Sequence, residues 1–189
     1  MIHTWYRGTV NARSLHWFLG YMEHFMPKLT YEFYHRPCLD VARDLVGKVL
    51  VHGDLRLRIT ETEAYCGEND TACHAHKGRT QRTEVMYREA GTIYIYLCYG
   101  MHWMLNIVTG EENEPEAVLI RACEGKYNGP GKLTKALGIT GQLNRGSILD
   151  DELWIEDDGF SCGIRALPRV GIGYASPEDQ ARLWRFQLQ

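Results

Sequence analysis

The stretch LRLRITETEAY, residues 55–65, decides the fold because its apolar and polar side chains alternate with a period of two. Such alternation predicts a long β-strand whose successive side chains point to opposite faces of a sheet. In a regular strand one face would carry Leu55, Leu57, Ile59, Glu61, Glu63 and Tyr65. A carboxylate on a face that begins as core is costly unless it is paired, hydrogen-bonded or protonated. The end of this strand is therefore a candidate for acid–base chemistry.

The composition is that of one folded domain. The chain has 189 residues, 44% of them hydrophobic and 24% charged, which is enough for a sizeable core. Its formal net charge of -3 argues against a protein that coats nucleic acid, but it allows a local basic cleft. No apolar run approaches the roughly 20 residues of a membrane span, and the N-terminal residues do not resemble a signal peptide. We therefore predict no membrane partner.

Six cysteines are spread along the chain without any Cys-x-x-Cys pair. Because no secretory signal is recognisable, we expect reduced thiols in a cytosolic setting rather than a disulfide framework. A zinc site can be imagined from Cys66, Cys73, His74 and His76, but their spacing matches no strong zinc pattern. The sequence therefore predicts no bound metal.

Short strands and few helices are predicted around the long strand. A proline near the start and a glycine after the end mark helices over 38–46 and 130–137. Apolar, β-branched and aromatic runs predict strands at 48–52, 92–99, 101–108, 117–122, 154–155 and 170–174. The polar segment 66–89 is predicted to be a functional loop with a helical turn near 82–87. We predict an α+β fold: a single domain with a mainly antiparallel, curved, partly open barrel-like sheet flanked by short helices.

Pro27 separates an N-terminal extension, 1–27, from a domain predicted over 28–189. The extension mixes tryptophan and phenylalanine with basic side chains. It would form either a short helix docked by its aromatic side chains or a poorly ordered arm. The sequence leaves both alternatives open.

Basic and aromatic side chains gather in the segments that follow the long strand. Between positions 74 and 82 the chain carries His74, His76, Lys77, Arg79 and Arg82. Basic groups of this kind contact the phosphates of nucleic acids. Tyrosines at positions 65, 94, 96 and 99 add flat faces on which an unstacked base could lie. A carboxylate, aromatic walls and a basic rim together suggest chemistry on an extruded nucleotide.

Several motifs in order make the chain resemble the alkyladenine (3-methylpurine) DNA glycosylase family. The matching segments are Glu61-Thr-Glu-Ala-Tyr65, Gly91-Thr-Ile-Tyr-Ile-Tyr-Leu-Cys-Tyr-Gly-Met101, Asn106, Val118-Leu-Ile-Arg-Ala122, Asn128-Gly-Pro-Gly-Lys-Leu133 and Arg169-Val-Gly-Ile172. They run in the family order and cover roughly residues 31–186. Any one of them alone would mean little, whereas the ordered set is specific.

The resemblance implies a base-excision repair enzyme that flips a damaged purine out of DNA and hydrolyses its N-glycosidic bond. Glu63 would be the general base that activates water to attack the sugar C1′, and Arg121 would help to position that water. Tyr65, His74 and Tyr96 would enclose the base. The Asn106 amide would sterically disfavour purines that carry an exocyclic amino group at the guanine position.

The resemblance also implies how DNA is held. Tyr99, with Met101 beside it, would be wedged into the duplex in place of the flipped nucleotide. From the basic segment 74–82, Arg79 and Arg82 would contact the DNA backbone. Lys132, in the Asn128-Gly-Pro segment, would be either a phosphate contact or a residue that starts a helix.

The expected partner is double-stranded DNA that contains alkylated or deaminated purines, of the 3-methyladenine, 7-methylguanine, hypoxanthine and ethenoadenine class. No lysine lies in the matching catalytic motif, so we expect a monofunctional enzyme without a lyase step and without a cofactor. A monomer is the default for a domain that engulfs one nucleotide. The enzyme would be cytoplasmic and nucleoid-associated in a bacterium, or nuclear in a eukaryote.

Each residue also has an ordinary structural interpretation. Glu61 would anchor backbone or an arginine, Tyr94 would pack within the sheet, and Arg121 would pair with a buried acid. At the level of the protein, the alternative is a domain that binds lesions or nucleic acid without turnover. A zinc nucleobase deaminase would need His-x-Glu followed by Pro-Cys-x-x-Cys, which the sequence lacks. An RNA-binding module would need a more basic surface.

Overall fold

Residues 26–189 are described by a computed structural model, and they build a curled antiparallel sheet with short helices packed against it. The strands are β1 Val49–His52, β2 Leu55–Cys66, β3 Ile93–Cys98, β4 His102–Thr109, β5 Glu116–Cys123, β6 Leu153–Glu156, β7 Ile164–Leu167 and β8 Arg185–Leu188. The helices are α1 Tyr31–Tyr34, α2 Cys38–Leu45, α3 Pro130–Leu137 and α4 Pro177–Ala181. The predicted α+β class with a mainly antiparallel curved sheet is confirmed. The alternatives raised for the N-terminal extension fall on residues 1–25, outside the described part of the chain.

β2 is the strand around which the sheet is organised. The strand order is β3-β4-β5-β2-β1-β6, and β8, itself paired with β7, also pairs with β2. The first third of β2 forms a hairpin with β1. Its last part lies between β5 and β8, where Glu63 is opposite Leu119 on one side and Arg185 on the other. The end of β2 is therefore held along both edges, which fixes the direction of its side chains.

An irregularity in the pairing of β2 with β5, between Ile59 and Thr62, breaks the alternation of β2. Ile59 and Ala64 both lie in the main core, and the Thr62 hydroxyl donates a hydrogen bond to the Ala42 carbonyl of α2, at 2.6 Å. Core-facing positions are thus three apart at this point instead of two. The expectation that Glu61 and Glu63 continue the core face is wrong, because the bulge turns them to the opposite face.

α2 and α3 cover the sheet on its core side. α2 buries Cys38, Val41, Ala42 and Leu45, as the sequence spacing predicts. α3 begins at Pro130, and Gly138 ends it in the left-handed conformation with φ +67°, which glycine adopts without steric cost. No helix within residues 26–189 has the length and apolar character needed to cross a membrane.

The C-terminal segment differs most from expectation. Residues 170–174 do not form the predicted strand; they belong to the loop between β7 and α4, which contacts β2 through the Val170 N–H and Glu63. Arg169 holds the start of this loop, because its buried guanidinium donates to both carboxylate oxygens of Asp70 and to the Ala64 carbonyl. The strands that the sequence did not predict, β7 and β8, lie on either side of the loop and pair with each other.

Cys38 and Cys66 form a disulfide, with their Cα atoms 6.2 Å apart. The expectation of reduced thiols is therefore wrong for this pair, while Cys73, Cys98 and Cys123 are free, as is Cys162. The bond joins the start of α2 to the end of β2, two points 28 residues apart in sequence that only the tertiary fold brings together. It ties the helix layer to the strand that carries Glu63.

Candidate active site

Glu63 lies fully buried where β2 meets a cavity of about 440 Å³. Each of its carboxylate oxygens has a donor: the Val170 backbone N–H donates to Oε1 at 2.7 Å, and the Tyr65 hydroxyl donates to Oε2 at 2.9 Å. Arg121 Nη1 is 3.4 Å from Oε1. The carboxylate is thus held in one orientation by β2, β5 and the 168–176 loop together.

The environment of Glu63 shifts the pKa of its carboxyl in the direction that suits proton transfer. Burial raises the pKa of Glu63 above its ordinary value, while the charge of Arg121 and the hydrogen bonds from Val170 and Tyr65 oppose that rise. The negative charge of Glu61 adds to it. A carboxylate whose proton affinity is increased by desolvation, but which keeps a cation beside it, has the properties of a general base.

Arg121 bridges the two carboxylates of the strand. Its Nε donates to Glu61 Oε1 at 3.2 Å, while Nη1 faces Glu63. Glu61 in turn accepts a hydrogen bond from Arg185 Nη1 at 2.8 Å. The expectation that Glu61 anchors an arginine is confirmed for this geometry, and Arg121 contacts both of the acids that the sequence offered as its partners.

Aromatic rings wall the cavity next to Glu63. Tyr65, His74 and Tyr96 all line it, and the rings of His74 and Tyr96 meet edge to face with their centroids 4.5 Å apart. His74 Nδ1 is 3.0 Å from the Tyr94 hydroxyl. Tyr94 is buried in the sheet, as predicted, and its hydroxyl additionally fixes the His74 ring.

His74 is uncharged at neutral pH. Burial lowers the pKa of its imidazole to about 4, and the nearby charge of Arg82 contributes. A neutral ring beside tyrosine faces does not repel a positively charged ligand, and the aromatic faces attract one. The aromatic walls are therefore suited to flat heterocycles, including cationic ones, while the guanidinium of Arg82 adds a positive charge to the same cavity.

Asn106 lines a smaller cavity that shares Tyr65, His74, Tyr96 and Tyr174 with the cavity beside Glu63. It is buried on β4, and its Nδ2 donates to the backbone carbonyls of Tyr94 and Met104, at 3.1 and 3.2 Å. These bonds fix the amide plane where it lines the space between Tyr65 and His74. The side chain can thus act as a rigid stop for whatever enters the pocket.

The turn of the β3–β4 hairpin lies next to the cavity, which Tyr99 helps to line. Tyr99 and Gly100 both have positive φ, +51° and +67°, and the Met101 N–H donates to the Cys98 carbonyl, as in a type I′ turn. Tyr99 is 85% exposed and Met101 70% exposed. A tyrosine in the left-handed region with its ring in solvent is an outlier of the kind that clusters at functional sites.

The basic residues predicted to contact DNA do not all lie together. Arg82 lines the cavity with its guanidinium 5.3 Å from the centroid of the Tyr96 ring. Arg79 lies over Tyr87 and donates to Asn113. Lys132, on α3, donates to Asn128. All three side chains are at the surface, and of the three Arg82 is the one that lines the cavity.

Sequence reasoning missed three contributors to the site. The Val170 N–H was hidden within a segment predicted as a strand, although it belongs to the matched Arg169-Val-Gly-Ile172 motif. Tyr174 lines the cavity mouth, and its hydroxyl donates to the Ala72 carbonyl at 2.8 Å. Arg185 lies on an unpredicted strand. For the last two the sequence carries no signal beyond the residue type.

Potential metal ligands form a single group of three within residues 26–189, namely Cys38, Cys66 and Glu116. Because Cys38 and Cys66 are joined as a disulfide, this group offers no pair of free thiolates. The imagined zinc ligands Cys66, Cys73, His74 and His76 do not appear as such a group.

Comparison with known proteins gives a consistent result. The sequence model of the family described as Methylpurine-DNA glycosylase matches residues 32–127 and 124–189. A protein of Methanocella arvoryzae is 47% identical over 185 residues, which covers 85% of this chain and 92% of that protein. A protein of Natranaerobius thermophilus is 40% identical over 190 residues (86% and 96%), and one of Psychrobacter cryohalolentis is 45% identical over 177 residues (76% and 84%). All three carry the name "Putative 3-methyladenine DNA glycosylase".

Proposed function

The chain belongs to the methylpurine-DNA glycosylase family and is a DNA repair glycosylase of the 3-methyladenine type, and from this we propose that it hydrolyses the N-glycosidic bond of damaged purines in double-stranded DNA. The substrates are alkylated and deaminated purines: 3-methyladenine, 7-methylguanine, hypoxanthine and ethenoadenine. The observation that supports this best is Glu63, a buried and fully oriented carboxylate at the wall of an aromatic cavity.

In the proposed reaction the damaged nucleotide leaves the base stack and its base enters the aromatic cavity. Glu63 accepts a proton from a water molecule as the water oxygen forms a bond to C1′ of the sugar. The bond from C1′ to the purine nitrogen breaks, and its electron pair leaves with the base. An alkylated purine is already cationic, so it departs as a neutral molecule. A neutral lesion such as hypoxanthine or ethenoadenine leaves with the electron pair and takes up one proton from solvent.

Glu63, positioned by Arg121, also stabilises the charge that develops in the transition state. The sugar becomes oxocarbenium-like as the bond breaks, and a carboxylate beside it stabilises that positive charge. Arg121 holds Glu63 in place and can donate to the attacking water. The reaction needs no lysine and no cofactor, which fits a monofunctional hydrolase.

Base selection follows from the walls of the pocket. Tyr65, Tyr96 and the neutral ring of His74 stack against or meet the edge of the base, which favours cationic purines. Asn106 is held rigidly by backbone carbonyls, so it disfavours, without excluding, purines with an exocyclic amino group at the guanine position, such as 7-methylguanine.

DNA binding is proposed to centre on the β3–β4 hairpin. Tyr99 enters the duplex and occupies the space of the flipped nucleotide, with Met101 beside it, because both are exposed at the tip of a tight turn. Arg82, Arg79 and Lys132 contact backbone phosphates. One nucleotide fits one cavity, so the protein acts as a monomer.

Single-turnover release of 3-methyladenine or hypoxanthine from a duplex tests the proposed base. Glu63→Gln keeps the shape of the side chain but cannot accept the proton, so excision should fall by about 10²–10⁴-fold. Lesion binding, measured by fluorescence anisotropy, should be retained. Glu112→Gln, a change at an exposed acid in the turn before β5, is the matched control and should excise at the wild-type rate.

The possible outcomes separate the alternatives. Excision by Glu63→Gln at the wild-type rate would remove Glu63 from the catalytic role. Tight lesion binding by the wild type without release of any base would favour a lesion-binding domain instead.

A further inference from the structure

Arg185 lies on β8 and contacts the residues next to Glu63. In the antiparallel ladder between β2 and β8 it lies directly opposite Glu63, so the two side chains point to the same face of the sheet. Its guanidinium does not touch Glu63. Instead Nη1 donates to Glu61 Oε1 at 2.8 Å, and Nε donates to the Pro168 carbonyl at 2.7 Å.

The first of these contacts completes a row of alternating charges. Glu63 faces Arg121, Arg121 also pairs with Glu61, and Glu61 pairs with Arg185. All four side chains are at least four-fifths buried, so the charges interact strongly and are poorly screened. Without Arg185, Arg121 would be the one cation between two carboxylates, and the uncompensated charge of Glu61 would act on Glu63.

The second contact concerns the loop that supplies a donor to Glu63. Pro168 is two residues before Val170, whose N–H donates to Glu63 Oε1 at 2.7 Å. Arg185 fixes the loop at Pro168, and Arg169 fixes it through Asp70. A single guanidinium is thus connected to Glu63 by two separate routes, one electrostatic and one through the backbone.

We propose that Arg185 is a positioning residue of the glycosylase reaction: it neutralises Glu61 so that Arg121 serves Glu63, and it fixes the loop that brings the Val170 N–H to the same carboxylate. The inference rests on the proposed role of Glu63 as the base. It gives Glu61 a defined place as the link between the two arginines.

Charged and titratable groups surround Glu63 on each of the neighbouring elements. They are Glu61 and Tyr65 on β2, Arg121 on β5, Arg185 on β8, and Arg169 and Tyr174 on the loop. Of these, Glu61 is the acid that favours protonation of Glu63, and Arg185 pairs with it. Removing the cation from this pair should therefore make Glu63 easier to protonate.

The test is the pH dependence of single-turnover excision. In Arg185→Gln we expect the acid limb of the rate profile to move to higher pH by about one unit, so that the rate on that limb falls about tenfold. Lesion affinity should be unchanged, because Arg185 does not line the cavity. Arg185→Lys keeps the charge but cannot make both contacts, so its acid limb should fall between those of the wild type and Arg185→Gln.

A double variant makes the assignment specific. If Arg185 acts by neutralising Glu61, then Glu61→Gln combined with Arg185→Gln should return the acid limb towards its wild-type position, a result that a merely structural role would not give. Arg165→Gln, at an exposed arginine on the neighbouring β7, is the matched control and should leave the profile unchanged.

The possible negative results have different meanings. If the wild type releases no purine, the proposed function and this inference both fail. If the wild type is active and Arg185→Gln has the wild-type profile, only the inference is overturned. If Arg185→Gln does not fold, Arg185→Lys decides: a wild-type profile in that variant, with folding retained, also overturns it.

Discussion

At the scale of single residues, the burial that suits Glu63 to its proposed role also lowers the stability of the folded protein at neutral pH. Burial raises the pKa of its carboxyl, so the folded protein holds that proton more tightly than the unfolded chain does. The stability that this proton contributes is complete below the ordinary pKa of a glutamate and is lost as the pH rises through the elevated one. At neutral pH the ionised base therefore destabilises the fold.

Glu63→Gln should accordingly be more stable relative to wild type at pH 7 than at pH 4. The change in this difference should be about 1.4 kcal/mol for each tenfold increase in proton affinity. Urea denaturation at the two pH values measures it, with Glu112→Gln as a control whose difference from wild type stays near zero. Equal differences for Glu63→Gln at both pH values would contradict an elevated pKa.

The sequence could single out Glu63 and some of the residues around it, but not all of its contacts. Glu63 stands within a motif of adjacent residues, and its company with Tyr96, Tyr99, Asn106 and Arg121 could be read along the chain. Arg185 is far from that motif and is brought to it only by strand pairing. Contacts made through tertiary structure leave no local pattern to read.

At the scale of elements, the tip of the β3–β4 hairpin combines a strained backbone with an exposed ring. Tyr99→Gly should preserve or slightly raise the free energy of unfolding, because glycine adopts a positive φ without steric cost. It should nevertheless weaken binding to lesion DNA and slow excision, since the wedge is lost. Tyr99→Phe, which keeps the ring, should behave as wild type. Fluorescence anisotropy and single-turnover excision measure these effects, and wild-type activity in Tyr99→Gly would exclude a wedge.

The β3–β4 hairpin was predicted well, whereas β7 and β8 were not predicted. β3 and β4 are adjacent in sequence, and each has a long run of strand-forming residues, so their bounds are within two residues of those predicted. β7 and β8 are held by tertiary pairing: β8 pairs with an edge of β2, and β7 pairs with β8. The bulge in β2 is invisible in its alternating sequence for the same reason: it arises from the pairing with β5.

At the scale of the whole molecule, the Cys38–Cys66 disulfide is the covalent link between the helix layer and the sheet. Closing a loop across 28 residues should contribute about 3.6 kcal/mol by restricting the unfolded chain. Reduction with dithiothreitol should lower the free energy of unfolding of the wild type by about that amount. Cys38→Ser should start at the lower value and not respond to the reductant, whereas Cys98→Ser should respond as the wild type does. No change on reduction would show that the link does not contribute to stability.

The pairing of β2 with β8 has a further consequence, for the kinetics of folding. Glu63 and Arg185 are neighbours in the ladder although 122 positions separate them in the chain. Contacts of such high sequence separation require a long loop to close first, so they form slowly and late. A partly folded chain that contains only the early hairpins has no complete pocket. We therefore expect excision activity during refolding to appear with the slowest phase, after the secondary structure has formed.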